Sequence, residues 1–96
     1  MGVQFEWDQR KVTSNLRKHG VSFDEASTVF RDQLACIFDD ETHSDQEQRE
    51  IIIGHSTRHR LLLVSFIEKA ENVVRIISVR SATKKEREDY EENRGI

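Results

Sequence analysis

From Leu34 onward the apolar residues of this chain leave a helical period and fall into four short runs, Leu34–Phe38, Arg49–Gly54, Arg60–Ile67 and Val73–Arg80, rich in Ile, Val, Leu and Phe. The last three are joined by only five residues each, His55–His59 and Glu68–Asn72. A parallel crossover needs about a dozen residues or more, so these joins predict antiparallel hairpins. The acidic stretch Asp39–Glu47 reads as the loop between the first two runs. Leu61–Ile67 is so continuously apolar that its strand must be covered on both faces.

Upstream the pattern differs. Aromatic and polar residues alternate in Gln4–Trp7, which predicts a short first strand. Asp8 offers an N-cap to a helix over Gln9–Lys18, with Val12 and Leu16 on its buried face, and Lys18-His19-Gly20 supplies the cations and the left-handed residue that end it. Ser22 and Glu25 form a capping box for a second helix. Val21 and Ala26 staple its start, and Ala26, Val29 and Phe30 give its buried face. Thr83 to Glu86 is a further capping box, opening a charged helix to about Asn93 with Tyr90 as its apolar anchor and with pairs Lys84–Glu88, Lys85–Asp89 and Arg87–Glu91. This order predicts an α+β fold: two N-terminal helices packed on an antiparallel sheet of about four strands, with a C-terminal helix. The other sheet face is left for that helix, a partner or a ligand. Ninety-six residues leave room for one domain, residues 1–96.

With 35% hydrophobic and 34% charged residues, an evenly mixed chain would not fold; the clustering of apolar residues in the runs above allows a small core. No run approaches the ~18 apolar residues of a membrane span, and Met1–Phe5 lacks the basic and apolar regions of a signal peptide, so a cytoplasmic location is expected. Cys36, the one cysteine, excludes an internal disulfide and reads as a small core residue. His55 and His59 have zinc-like spacing, but in a turn, and the acidic stretch lacks the glycine of a calcium loop; neither metal nor cofactor is expected. The net charge of −3 hides a partition: residues 1–53 carry 6 Lys/Arg against 11 Asp/Glu, residues 54–87 carry 8 against 3, and residues 88–96 carry 1 against 4. A basic block of this kind attracts a polyanion even in an acidic protein, although a solvated surface explains it as well.

Phe5-Glu6-Trp7-Asp8, Asn15 followed by Lys18-His19-Gly20-Val21-Ser22-Phe23-Asp24-Glu25-Ala26, Val29-Phe30, Arg49 before Ile51-Ile52-Ile53-Gly54, and Arg75-Ile76-Ile77-Ser78-Val79-Arg80 with Ala82-Thr83, Glu86-Arg87 and Tyr90 together closely resemble the BrnT family. The resemblance runs from Phe5 to about Tyr90. It implies a RelE-like fold and a ribonuclease toxin of a type II toxin-antitoxin system, inhibiting translation and growth. It also implies a BrnA-like antitoxin, in a complex with two copies of each protein, whose ribbon-helix-helix part alone contacts operator DNA. The chain departs from the family pattern in the turn His55–Arg60, which is often small and glycine-containing there, and at Ser81, where a basic residue is frequent.

Cleaving RNA without a metal requires a 2′-hydroxyl to lose a proton, a phosphorane to be stabilised and a 5′-oxygen to be protonated. Guanidinium forks suit the middle task. Arg60 opens one central strand and Arg80 closes its hairpin neighbour, so antiparallel pairing brings both to the same end of the sheet. Lys84 falls near that end, and His19 of the Lys-His-Gly element is a candidate proton carrier, completing a catalytic set of Arg60, Arg80, His19 and Lys84. Arg58, Arg75, Lys85 and Arg87 would grip RNA, with Tyr90 stacking on a base. The same basic face would also serve a non-catalytic module that binds nucleic acid or an acidic partner.

Overall fold

The structure, a computed structural model, describes residues 2–40 and 48–94; most of the expected acidic loop lies outside the described residues. In chain order the elements are β1 (Gln4–Glu6), α1 (Gln9–His19), α2 (Phe23–Thr28) running into a 3-10 turn (Val29–Arg31), β2 (Cys36–Asp39), β3 (Arg49–His55), β4 (Leu61–Ala70), β5 (Val73–Ser81) and α3 (Lys84–Arg94). Local chemistry explains their limits. The Asp8 carboxylate accepts the Arg10 N–H at the start of α1, and Gly20 ends the helix at φ 69°. Ser22 Oγ accepts the Glu25 N–H, one half of the expected capping box. β2 begins later than the apolar run suggests, because Asp32 draws Leu34 and Ala35 into a turn: its Oδ1 accepts the Leu34 N–H at 2.9 Å and its carbonyl the Ala35 N–H at 3.1 Å. β4 and β5 grow toward each other, so Glu71 and Asn72 alone make the turn, with Asn72 at φ 64°.

The sheet has five strands in the order β1-β5-β4-β3-β2, and it is mixed. β1 joins it parallel to β5, Gln4 opposite Val73, which corrects the expectation of an antiparallel sheet of about four strands. Periodicity marks a strand but not its neighbour: the helices lead from β1 to β2 on the far edge, and three successive antiparallel pairings then return the chain to β5, which runs the same way as β1. Between β4 and β5 the register slips: Ser65 opposes Ser78 while Phe66 opposes Ile76, leaving Ile77 as a bulge. The extra residue resets the alternation, so Val74, Ile76 and Val79 all reach the same core.

That core lies under α1 and α2 and joins Val21, Phe23, Ala26 and Val29 to Ile52, Leu62, Val64 and Phe66. The α3 face is smaller, with Ile53, Leu61 and Leu63 beneath Tyr90. The double cover demanded by the β4 sequence is thus supplied by helices on both sides. α1 departs from expectation: Val12 packs on the core, but Leu16 is exposed and Asn15 is buried in its place. Cys36 is half-buried, and burial pushes its thiol up, aided by the neighbouring Asp32 charge. No helix among the described residues is long and apolar enough to cross a membrane.

Candidate active site

One end of the sheet gathers most of the cations singled out by sequence. The pairs His55–Leu61, Leu62–Ser81 and Leu63–Arg80 set the β3–β4 turn, the start of β4, the end of β5 and the start of α3 side by side. The α1 C-terminus meets this end too, since Arg60 Nη2 donates to the Gly20 carbonyl at 3.4 Å. His19, Arg58, Arg60, Arg80 and Lys84 therefore lie toward this end of the sheet, with Lys85 and Arg87 exposed on the first turns of α3. Arg75 does not join them. It opposes Ile67 near the start of β5, about 16 Å of strand from Arg80, and pairs with Glu6 at 3.4 Å. Tyr90 is only 2% exposed, so its ring packs against the sheet and offers no face for a base.

The two leading arginines share the end of the sheet but not its face. Arg80 pairs with Leu63, whose neighbours are those of the α3 cluster. Arg60 precedes β4 by one residue and turns to the opposite face, where its Nε donates to Glu25 Oε2 at 2.9 Å and its Nη2 to Glu25 Oε1. Glu25 is the N3 residue of the α2 capping box, yet its carboxylate points away from the cap to Arg60 and to Ser56 Oγ at 2.7 Å. The guanidinium holds that buried carboxyl below its ordinary value, against the opposing effect of burial. Ser56 Oγ in turn accepts the Arg58 and Arg60 N–H groups, which shapes the β3–β4 turn. His59 stands in that turn at φ 66°.

Arg80 is also held in a fork. Its Nη1 and Nη2 each donate to one oxygen of Glu86 at 2.8 Å, and Glu86 Oε1 accepts the Thr83 N–H at 2.8 Å, completing the α3 capping box. The guanidinium lowers the Glu86 carboxyl, and that carboxylate in turn raises Arg80. Such a planar, two-oxygen contact is one a phosphate reproduces.

Two features escape sequence reading. α1 is uniformly basic, with Arg10, Lys11, Arg17 and Lys18 and no acid, and Lys11, Ser14, Lys18 and His19 line a cleft against Ile77 and Ser78 of β5. A charge count over Gln9–His19 rather than over residues 1–53 would have found it. The second is a polar cluster of Asp32, His55 and Tyr90. Tyr90 donates to Asp32 Oδ2 at 2.8 Å, His55 Nδ1 lies 3.2 Å from the Tyr90 hydroxyl, and the His55 N–H donates to the same Asp32 oxygen at 2.8 Å. These residues span 58 positions, and no local pattern joins them.

The pattern of a family described as the ribonuclease toxin BrnT of type II toxin-antitoxin systems matches residues 7–86. The fold is similar to the 1.1 Å crystal structure of the Brucella abortus ribonuclease toxin BrnT, with a TM-score of 0.65 and 24% identity over 85% of this chain and 99% of that one. At that identity the likeness speaks for the fold. No curated protein matches the chain.

Proposed function

The chain belongs to the family of BrnT ribonuclease toxins of type II toxin-antitoxin systems, and from that premise we propose that it cleaves RNA, mRNA included, without a metal, at the sheet end where the cations converge. The family match over residues 7–86 carries the reading. The bidentate grip of Arg80 on Glu86 supports it, because a scissile phosphate in place of that carboxylate would meet the same two N–H groups. Lys84 adds positive charge beside it, and Arg58, Lys85 and Arg87 hold the flanking phosphates. His19 at the end of α1 is a candidate to carry a proton, while Arg60 acts from the opposite face, fixing the β3–β4 turn through Glu25. Arg75 and the buried Tyr90 stand outside this contact surface.

Cleavage in the cytoplasm would inhibit translation and growth. A BrnA-like antitoxin, two copies with two of this chain, would mask the cationic end and alone contact operator DNA. The test is cleavage of a defined RNA by antitoxin-free protein in the presence of a chelator. Arg80→Ala should keep its thermal transition and lose cleavage, and Arg80→Lys should restore little, since a point charge lacks the fork. Undiminished cleavage by folded Arg80→Ala removes Arg80 from the site. RNA binding without cleavage by the unaltered chain leaves a binding module instead.

A further inference from the structure

We propose that His55 is the residue that takes the 2′-hydroxyl proton in RNA cleavage, with Tyr90 and Asp32 as its positioning residues; this rests on the ribonuclease reading above. His55 ends β3, its ring set edge-on to Tyr90 with centroids 5.2 Å apart at 77°. The hydrogen-bond chain fixes its tautomer. Asp32 Oδ2 takes the Tyr90 hydroxyl hydrogen, so the Tyr90 oxygen is left to accept, and Nδ1, 3.2 Å away, is the nitrogen that carries the hydrogen. The lone pair then sits on Nε2, on the far edge of a side chain that is 39% exposed.

The carboxylate behind this chain is firmly held. Burial alone would raise the Asp32 carboxyl, but the His55 and Leu34 N–H groups and the Tyr90 hydroxyl together keep it below the usual range. The backbone is cleared for it: a Cβ on Gly54 would lie 3.1 Å from Asp32 Oδ2 and 2.9 Å from the Ala35 Cβ. None of these bonds needs the imidazole, because His55 contributes its backbone N–H whatever its side chain is. The ring is therefore an addition to a structure already satisfied. His55 and Arg80 stand on the same α3 face, opposite Leu61 and Leu63 of β4, so the ring and the fork flank one strand.

In the step, Nε2 takes the proton as the 2′-oxygen bonds to phosphorus. The bond from phosphorus to the 5′-oxygen breaks, its electron pair leaves with that oxygen, and water protonates it. The imidazolium then returns its proton to the hydroxide left behind. The products are a 2′,3′-cyclic phosphate and a 5′-hydroxyl.

The experiment compares the full chain, freed of antitoxin, with His55→Ala on a defined RNA, with and without added imidazole. We expect a loss of about 100-fold or more on substitution, an unchanged thermal transition, and partial restoration by imidazole, which a structural role would not produce. Tyr90→Phe keeps the ring and drops the hydroxyl; it should lower kcat about tenfold, less than the loss of the base itself, with KM unmoved. Cleavage by His55→Ala within about twofold of the parent, or a loss that imidazole leaves unrestored, overturns the proposal. Should His55→Ala fail to fold, retained cleavage by folded His55→Gln overturns it equally, and its loss supports it. A parent that does not cleave overturns the ribonuclease reading itself, which a cleaving parent beside an unimpaired variant does not.

Discussion

Beneath α1 and α2, eleven buried residues form one cluster, and Phe30 bridges Phe5 and Phe66 at centroid distances of 5.1 and 5.0 Å. Beneath α3, among the described residues, there are four, of which the helix contributes Tyr90. Polar contacts follow the same division. On the first face Asn15 is buried and accepts from the Val79 N–H at 3.0 Å while donating to the Val79 carbonyl at 2.8 Å. β1 pairs only as far as Arg75, so Asn15 serves the strand edge that β1 is too short to reach. On the second face the polar groups are Arg80, Glu86, His55 and Asp32, all partly open to solvent. One face therefore holds most of the buried apolar surface, while the other is held by partly exposed polar contacts, the ones a phosphate would replace on the function proposed above.

The largest break in this comparison is Phe23→Ala. Phe23 is 1% exposed and meets Trp7 edge-on at 5.9 Å, so its loss should cost about 3–5 kcal/mol, read by denaturant unfolding. A cost below about 2 kcal/mol, small for such a truncation, would spread stability over both faces. Arg60→Ala comes next. It leaves the Glu25 carboxylate, 3% exposed, without its cation and should cost about 3 kcal/mol. The pH dependence sharpens this. Glu25 is lowered in the folded protein, so between its folded value and its unfolded value of about 4.3 the unfolded chain binds more protons. Its stabilisation is full above that upper value and vanishes as pH falls through the folded one. Arg60→Ala should flatten this acid limb, which an acid titration of unfolding checks.

Gly54→Ala tests the contact on which the polar cluster stands. The added methyl meets Ala35, Asp32 and Val29 within 3.1 Å, and the overpacking should cost about 1–3 kcal/mol. The same variant should separate the His55 ring from Tyr90, seen as changed imidazole shifts in NMR. An unchanged spectrum would make the close approach incidental.

Periodicity located the strands, the caps located the helix starts, and the short joins gave the antiparallel pairs, because each is encoded within a few residues. What remained hidden depends on parity and distance. Arg60 and Arg80 are legible as neighbours at one sheet end, but a register counted from Leu63 opposite Arg80 is needed to see that they lie on opposite faces. Leu16 has the spacing of a core residue, yet the β5 edge needed a hydrogen-bonding side chain more than an apolar one, and Asn15 is buried instead. Asp32, His55 and Tyr90 are brought together only by the tertiary fold.

Glu86→Gln should have the smallest effect on stability and an opposite effect on binding. The Arg80–Glu86 pair is partly exposed, with Arg80 38% open, so its fork contributes about 1 kcal/mol or less. Glutamine keeps an oxygen for the Thr83 N–H and so preserves the α3 cap. What it removes is the negative charge that competes for the Arg80 fork. If the α3 face is the one that exchanges its contacts, Glu86→Gln should bind RNA more tightly, by a fewfold at low salt, while its thermal transition barely moves. The advantage should shrink as salt is raised, because both the lost repulsion and the gained phosphate contact are screened. Unchanged or weaker RNA binding by the folded variant would mean that Glu86 does not stand where a phosphate goes, and that Arg80 is as structural on its face as Arg60 is on the other.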